Sequence, residues 1–164
     1  MWILEIFSDS DWAGDKDNRR SISEFILFLF GVPISYKSRQ QKTVSLSSAE
    51  AEWIALSEAI REILFAIHVL EGMKIAVKKP VIVRVDNMGA IFMAKNTTAT
   101  KRTKHIDIKA HFVHEHVNEE TGQMEIVFVR SEENKSDIFT KNVPRETMKK
   151  QSEEYLGEED EIHK

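Results

Sequence analysis

Apolar residues recur at helical spacing over one long stretch of the chain, and this stretch orders the rest of the interpretation. Ser47 followed by Glu50 is a capping-box pattern, and Gly72 is a typical stop, so a helix is predicted from about Ser48 to Gly72. At about 100° per residue, one stripe of this helix is apolar and should face the core. The stripe consists of Ala55, Leu56, Ala59, Ile60, Ile63, Ala66, Ile67 and Leu70.

One acidic residue, Glu52, lies on the same line as the apolar stripe, one turn ahead of it. The opposite side of the predicted helix carries Glu50, Ser57, Glu58, Arg61 and His68. A carboxylate directed at a core is costly unless it is hydrogen-bonded, paired with a cation or bound to a metal. The helix alone leaves two interpretations open, a Glu satisfied by backbone N–H groups or an Arg, and a functional carboxylate.

Shorter apolar or alternating runs predict strands, and the remaining helical patterns complete the order of elements. The predicted strands are Met1–Asp9, Ser21–Phe30, Ile34–Lys37, Val81–Asp86 and Gln123–Val129. The further predicted helices are Gly89–Lys95 capped by Asn87, Thr103–Val117, and a last one that begins near Asp137 after Asn134 or Ser136 and ends or kinks at Pro144. Strands joined through a crossover helix are usually parallel. The order βββαβααβα therefore predicts an α/β fold with a mixed five-stranded sheet, a three-strand antiparallel meander plus two parallel strands, flanked by helices.

Composition limits the classes of protein that this chain can belong to. Its 164 residues, 41% apolar and 30% charged, are typical of one globular domain. The absence of Cys excludes a disulfide framework and a thiolate metal site. No apolar run is long enough for a membrane span, and no leader pattern is visible, so no membrane partner is expected. Residues 152–164 hold six acids and one Lys, which accounts for the net charge of −4. We therefore predict a domain at 1–143 and a disordered acidic tail at 144–164.

Four acidic residues are expected at one edge of the predicted sheet. Asp9 and Asp86 each end a parallel strand, Glu52 faces inward, and Asp137 opens the last helix. Functional sites in such sheets collect at the carboxyl ends of the strands. Four carboxylates repel one another unless cations neutralise them, and oxygen-only ligands suit Mg²⁺ or Mn²⁺. Taken singly each acid has a simpler explanation as a turn or cap residue, but their joint placement favours a two-metal site of the kind that cleaves phosphodiesters.

Seven blocks of the sequence follow one another over about residues 5–143: SDSDWAGD, RRSIS, LSSAEAEWIALSEAIREI, VDNMGAI, AKN, TKHIDIKAHFV and SDIFTK. In this order they resemble the ribonuclease H domain that closes the polyprotein of copia-type LTR retrotransposons. The resemblance implies a ribonuclease H fold and two divalent ions, Mg²⁺ with Mn²⁺ able to substitute. It also implies hydrolysis of the RNA strand of RNA–DNA hybrids during reverse transcription, leaving 5′-phosphate and 3′-hydroxyl ends. The implied catalytic and metal-binding residues are Asp9, Glu52, Asp86 and Asp137, with Asp11 as the rival for Asp9.

The resemblance also implies partners and a location. The expected partners are the RNA–DNA hybrid and the reverse transcriptase domain of the same polyprotein, with a monomer as the default state. The expected location is the cytoplasm, in the virus-like particle of the element, with the nucleus as the alternative. Residues that could contact the substrate are Asn87, Arg19, Arg20, Lys42, Arg102 and Lys104.

Two features support a second interpretation. The segment RSEENKS before Asp137 has no His, whereas cellular and retroviral ribonucleases H usually carry one there to assist product release, and the chain starts almost at the first predicted strand without the polymerase that normally precedes it, as expected of an excised domain or a lone remnant. In a further departure, Glu24 and Phe30 stand where copia-type sequences more often have Gly, so the second strand is expected to pack differently. The alternative is a catalytically weak or inactive ribonuclease H-like module that binds nucleic acid or serves as a connection. A transposase or integrase relative is disfavoured, because Glu52 precedes Asp86.

His111 and His114 have the spacing of a metal pair, although a surface position is more common for such residues, and Trp53 is expected in the core.

Overall fold

Five strands form one mixed sheet in the spatial order β3-β2-β1-β4-β5. The computed structural model describes residues 2–15, 17–96, 104–117 and 122–139 with Glu146, Lys149 and Glu153, and gives the backbone alone at 104–107, 138 and 139. The strands are β1 Leu4–Asp11, β2 Ile22–Leu29, β3 Val32–Gln40, β4 Val81–Val85 and β5 Met124–Phe128. β2 is antiparallel to both β1 and β3, whereas β4 is parallel to both β1 and β5. The predicted fold class is confirmed.

In the described ranges up to residue 139, the sheet is accompanied by the α-helices α1 Ser48–Gly72, α2 Met88–Lys95 and α3 Lys104–Val117. The bounds predicted for α1 match the structure. The Ser47 hydroxyl accepts a hydrogen bond from the Glu50 N–H at 3.2 Å, while the Glu50 carboxylate accepts one from the Leu46 N–H at 2.8 Å. The capping box is therefore present, but its return bond reaches one residue further back than the usual N-cap N–H.

The predicted apolar stripe of α1 packs on one face of the sheet. Ala55, Leu56, Ala59, Ile60, Ile63 and Ile67 are buried there, and Ala66 and Leu70 are partly buried against the same core. The prediction for Ser57 was wrong, because its side chain is buried rather than on the solvent side. Its hydroxyl donates to the carbonyl of Ile54 at 2.7 Å, so the helix itself satisfies the polar group and burial costs little.

The second face of the sheet carries a smaller apolar cluster of Phe7, Ile26, Phe28 and Val129. A short 3-10 helix, Lys135–Phe139, packs against β1 and β2 on this face. The Lys135 ammonium lies 5.0 Å from the centre of the Phe28 ring. The two faces therefore receive different parts of the chain, α1 on one and the segment that contains Asp137 on the other.

Strand bounds differ from the prediction at β1 and β3. β1 continues past Asp9 to Asp11, so Asp9 lies inside the strand rather than at its end. β3 spans nine residues instead of the predicted four, because Pro33 is accommodated in an edge strand, where its missing N–H removes no bond of the sheet interior. Phe30 and Gly31, with φ values of 52° and 78°, form the two-residue turn between β2 and β3.

The last predicted helix begins where expected, directly after Asn134, but in the described residues it is a 3-10 helix rather than an α-helix. The chain forms two short 3-10 helices, Ser131–Glu133 and Lys135–Phe139, and Asp137 lies inside the second. The predicted end at Pro144, the domain boundary at 143 and most of the acidic tail lie outside the described residues. Within the part of the chain that is described, no helix is long and apolar enough to cross a bilayer.

Candidate metal centre

Alternation along β1 sends neighbouring side chains to opposite faces of the sheet. Ile6 belongs to the large core under α1, whereas Phe7 belongs to the smaller cluster on the other face. Asp9 continues the Phe7 side and is only 2% exposed, and Ser10 continues the Ile6 side. The strand therefore presents a buried carboxylate to one face and a buried hydroxyl to the other at adjacent positions.

Glu52 enters the site from α1 and is held by Ser10. The Ser10 N–H and its hydroxyl both donate to Glu52 Oε1, each at 2.9 Å. Glu52 is 4% exposed, and its Oε2 is buried with no hydrogen-bond donor among the described residues. The inward direction predicted from the helical pattern is therefore present, and one carboxylate oxygen is fixed while the other lacks a donor.

Three aspartates from different elements meet at the carboxyl end of the parallel strands. Ser8 of β1 lies opposite Val85 of β4 in the register, so Asp9 and Asp86 are the next residues on two adjacent strands. The 3-10 helix brings Asp137 to the same place. One carboxylate oxygen from each of Asp9, Asp86 and Asp137 lies within 4.8 Å of the others.

Burial and mutual repulsion disfavour full ionisation of this cluster. The pKa of Asp9 is raised to about 10, first by burial, then by a hydrogen bond with Asp137, and then by the negative charges of Glu52, Asp137 and Asp86. The pKa of Glu52 is raised to about 7 by burial and by the charge of Asp86, and the hydrogen bonds from Ser10 and from Asp9 oppose this shift. Without a cation, the site therefore retains protons that isolated carboxyl groups would have lost.

A divalent cation fits this arrangement. The donors are all carboxylate oxygens, which suit hard cations such as Mg²⁺ and Mn²⁺. A positive ion would remove the repulsion that raises the pKa values and would give Glu52 Oε2 a partner. The residues that would hold it are Asp9, Asp86 and Asp137, with Glu52 adjacent.

Two further acidic residues lie near the cluster. Asp11, the rival of Asp9, ends β1 and is half-buried, but it is outside the group of three carboxylates. Glu24 of β2 lies directly opposite Asp9 in the sheet, is fully buried, and accepts a hydrogen bond from the Ser38 hydroxyl at 2.6 Å. From the sequence, Glu24 was expected only to change the packing of the second strand, because it stands where the family more often has Gly. The structure places it beside Asp9.

The predicted substrate contacts are only partly described. Arg19, Arg20 and Lys42 lie in loops, Arg19 and Lys42 exposed and Arg20 half-buried. Asn87 caps α2, since its Oδ1 accepts a hydrogen bond from the Ala90 N–H at 3.0 Å. Its side-chain amide nitrogen is therefore the group with which it could donate a hydrogen bond to a nucleic acid. Arg102 and the side chain of Lys104 lie outside the described residues. These contacts remain predictions.

The histidines of α3 do not form a metal site in the described structure. Among described side chains, the aspartate trio is the one group of three or more potential ligands within reach of a common ion. His114 instead lies beside Trp53, with ring centres 6.2 Å apart, and Trp53 is fully buried as expected. His114 therefore belongs to the packing of α3 against α1.

Sequence reasoning missed Ser10 as part of the site. Its position inside SDSD gave no signal by composition, because serine is common in turns and strand ends. The period-2 alternation of β1 was the available signal, since it places Ser10 on the face that Glu52 approaches.

Comparison with known proteins gives relatives at the level of sequence and neighbours at the level of fold. The chain is 37% identical over 143 residues to the retrovirus-related Pol polyprotein from transposon TNT 1-94 of Nicotiana tabacum, and 34% identical over 142 residues to that from transposon RE1 of Arabidopsis thaliana. Each alignment covers 87% of this chain and 10% of the relative, so the chain spans about a tenth of these curated proteins. No family model matches the chain.

Solved structures of ribonucleases H share the fold. LC11-RNase H1, isolated from compost by a metagenomic approach, superimposes with a TM-score of 0.56 at 14% identity, over 82% of this chain and 90% of that one. The same protein in complex with an RNA/DNA hybrid also gives 0.56, at 16% identity, over 82% of this chain and 91% of that one. An N-terminal RNase H domain from Mycobacterium tuberculosis gives 0.54 at 9% identity, over 93% of this chain and 98% of that one. At such identities the likeness shows the fold alone.

Proposed function

The chain is homologous to one segment of copia-type retrovirus-related Pol polyproteins from plant transposons and has the ribonuclease H fold, and from this we propose that it is a metal-dependent endoribonuclease. Its substrate would be the RNA strand of an RNA–DNA hybrid, and its products would carry 5′-phosphate and 3′-hydroxyl ends. The observation that carries the proposal is the meeting of Asp9, Asp86 and Asp137 within 4.8 Å, with Glu52 beside them.

The chain's own residues would have distinct roles in this reaction. Asp9, Asp86, Asp137 and Glu52 would hold Mg²⁺, or Mn²⁺ in its place. When bound, divalent ions supply an activated water and counter-charge for the leaving oxygen of the phosphodiester. Ser10 holds one oxygen of Glu52 with two hydrogen bonds, which favours its carboxylate form. The proton on Asp9 has to leave before that side chain can act as a ligand.

Recognition of the hybrid would rest on its shape and its phosphates. Contacts with the 2′-hydroxyl groups distinguish an RNA strand from DNA, and a hybrid differs from both pure duplexes in groove shape. Arg19, Arg20 and Lys42 are loop cations that can contact phosphates without reading sequence. We expect little base preference and a rate that falls with salt.

The biological setting proposed for this activity is reverse transcription. The reverse transcriptase domain of a Pol polyprotein would supply the hybrid, and the site of action would be the virus-like particle of the element in the cytoplasm. The aligned segment makes up about a tenth of the curated relative's length, so only the ribonuclease H step is proposed for this chain.

The experiment that tests the proposal compares four nucleic-acid substrates of one sequence, three duplexes and one single strand. An end-labelled RNA–DNA hybrid, double-stranded RNA, double-stranded DNA and single-stranded RNA are incubated with the chain and Mg²⁺. We expect cleavage of the RNA in the hybrid alone, with 5′-phosphate ends, and loss of cleavage in Asp86→Asn. Glu125→Gln, an exposed acid on β5, is the matched control and should cleave normally. Cleavage that persists in Asp86→Asn, or no preference for the hybrid, would contradict the proposal.

One feature favours a second function, a hybrid-binding module with little or no activity. The segment from Arg130 to Ser136 consists largely of 3-10 turns and has no histidine that could assist product release. Tight binding of the hybrid by the wild type, with no cleavage at any Mg²⁺ or Mn²⁺ concentration, would establish this alternative.

A further inference from the structure

A fully buried amide, Asn134, joins the segment that carries Asp137 to the strand that carries Asp9. Its Nδ2 donates to the carbonyl of Ser8 at 3.0 Å, directly before Asp9 in the chain. Its Oδ1 accepts from the N–H of Ser136 at 3.2 Å and from the Ser136 hydroxyl at 2.7 Å, directly before Asp137. Asn134 and Ser136 are both 0% exposed. One side chain thus bridges the residues that precede two of the three clustered aspartates.

The backbone of Asn134 adds to the same connection. Its carbonyl accepts the Asp137 N–H at 3.2 Å, and its N–H donates to the Ser131 carbonyl at 3.2 Å. The position of the Asp137 main chain is therefore set from the Asn134 side chain and main chain together. A 3-10 helix of five residues has little stability of its own, so this anchoring decides where Asp137 lies.

We propose that Asn134 is a positioning residue for the metal centre, which sets the separation of Asp9 and Asp137 by binding the Ser8 carbonyl and Ser136 at the same time. This role of Asn134 depends on one part of the proposed function, the binding of a divalent ion by the three clustered aspartates. An amide fits here because it supplies a donor on one side and an oxygen that accepts two hydrogen bonds on the other, whereas the ionised carboxylate of an Asp of the same size has no donor. Leu would fill the space but would remove the bond to the Ser8 carbonyl and the acceptor of the Ser136 hydroxyl.

Outer residues that orient metal ligands affect metal affinity without touching the ion. Their removal typically lowers affinity or activity about 10- to 100-fold. We expect Asn134→Ala to weaken Mg²⁺ and Mn²⁺ binding about tenfold, measured as the metal concentration that gives half of the metal-induced rise in melting temperature. Ser136→Ala removes only the 2.7 Å contact and leaves the Ser8 bond, so it should have a smaller effect of the same sign.

The control is a variant with similar loss of stability and no connection to the site. Ile67→Ala removes a buried side chain in the last part of α1, about four turns from Glu52. It should lower the melting temperature without metal, but leave the metal concentration for half-maximal stabilisation unchanged. This separates positioning from a general loss of stability.

A double-mutant cycle tests whether Asn134 acts through Asp137. Metal affinity from the melting-temperature titration is measured for the wild type, Asn134→Ala, Asp137→Asn and the double variant. We expect the tenfold loss in the wild-type background and no further loss in Asp137→Asn. An equal loss in both backgrounds, or no loss in either, would overturn the proposal, and Ser136→Ala provides the same comparison if Asn134→Ala does not fold.

The result is independent of hybrid cleavage. A wild type that is stabilised by metal but does not cleave the hybrid would contradict the proposed endonuclease activity. The double-mutant cycle would still test the role of Asn134, because it measures metal affinity. A wild type whose melting temperature does not respond to Mg²⁺ or Mn²⁺ would overturn the metal centre and the role of Asn134 together.

Discussion

Ser10 donates two hydrogen bonds to one oxygen of Glu52, from its backbone N–H and from its hydroxyl, each at 2.9 Å. The pair joins the first strand to the long helix at the residue next to Asp9. It fixes the direction of a carboxylate that the helix brings into a buried position, and it opposes the rise in the pKa of Glu52 that burial causes. A strand hydroxyl and a helical carboxylate thus form the connection on the α1 side of the site.

Replacing Ser10 by Ala should move the pH dependence of the site. The variant keeps the backbone bond and loses the hydroxyl bond, so the pKa of Glu52 should rise further and metal binding should require a higher pH. The measurement is the pH at which metal-induced stabilisation reaches half of its maximum. Ser57→Ala is the control, because it removes a buried hydroxyl of α1 that bonds only the Ile54 carbonyl. If the two variants share one pH profile, Ser10 does not tune Glu52.

Neutralising Asp86 should stabilise the metal-free protein. The charge of Asp86 raises the pKa of both Asp9 and Glu52, so Asp86→Asn removes repulsion. A change of one pKa unit corresponds to about 1.4 kcal/mol, and Asp86 is partly exposed, so we expect a gain of roughly 1 kcal/mol or less. Thermal unfolding in EDTA measures it, with Glu125→Gln as control. A lower melting temperature for Asp86→Asn would argue against repulsion in the cluster.

The metal-free protein should lose stability as pH rises. An acid whose pKa is higher in the folded than in the unfolded state binds more protons when folded, so the free energy of unfolding falls between the two pKa values. For Glu52 this window runs from 4.5 to about 7, and for Asp9 from 3.8 to about 10. Added Mg²⁺ should reverse the trend, because it competes with the protons. Urea unfolding at several pH values, with and without Mg²⁺, checks this; a metal-induced gain that shrinks with rising pH would contradict it.

The turn between β2 and β3 should tolerate Ala poorly at its glycine. Gly31 has φ 78°, and a Cβ there would meet nothing within 4 Å, so Gly31→Ala isolates the backbone cost of about 1–2 kcal/mol. Gly72 also has open space around it, but no positive φ, so Gly72→Ala is the matched control and should be neutral or stabilising. Chemical denaturation compares the pair. If Gly31→Ala and Gly72→Ala change the free energy of unfolding equally, the positive φ at position 31 does not disfavour a side chain, and the prediction is wrong.

The sequence predicted best where one periodic pattern ran over many residues. α1 was placed residue by residue because its 25 residues give several turns of evidence, and the direction of Glu52 followed from the same pattern. The prediction for Ser57 was wrong because a serine hydroxyl in a helix can donate to a carbonyl of the preceding turn and can then be buried. The pattern of polar residues does not reveal such a bond. The predicted strand bounds at Asp9 and Pro33 were wrong because polar residues and Pro are typical of strand ends. Here β1 continues past the polar site residue Asp9, and the edge strand β3 accommodates Pro33.

The last part of the site could not be derived from local pattern. Asp137 was assigned to the start of a helix, but a 3-10 segment holds it, and its position depends on Asn134 bonding the Ser8 carbonyl 126 residues away. Such a contact joins residues that no periodicity connects. The burial of Glu24 beside Asp9 likewise follows from the register of β1 and β2, which sequence alone does not fix.

The most direct measurement is the rate of RNA–DNA hybrid cleavage as a function of Mg²⁺ concentration, for the wild type and for Asp9→Asn, Glu52→Gln, Asp86→Asn and Asp137→Asn. The account predicts metal-dependent cleavage by the wild type and a loss of about 100-fold or more in each variant, because the four carboxylates would hold the same ions. A wild type that cleaves no hybrid at any Mg²⁺ or Mn²⁺ concentration, or an Asp86→Asn variant that cleaves at the wild-type rate, would contradict it.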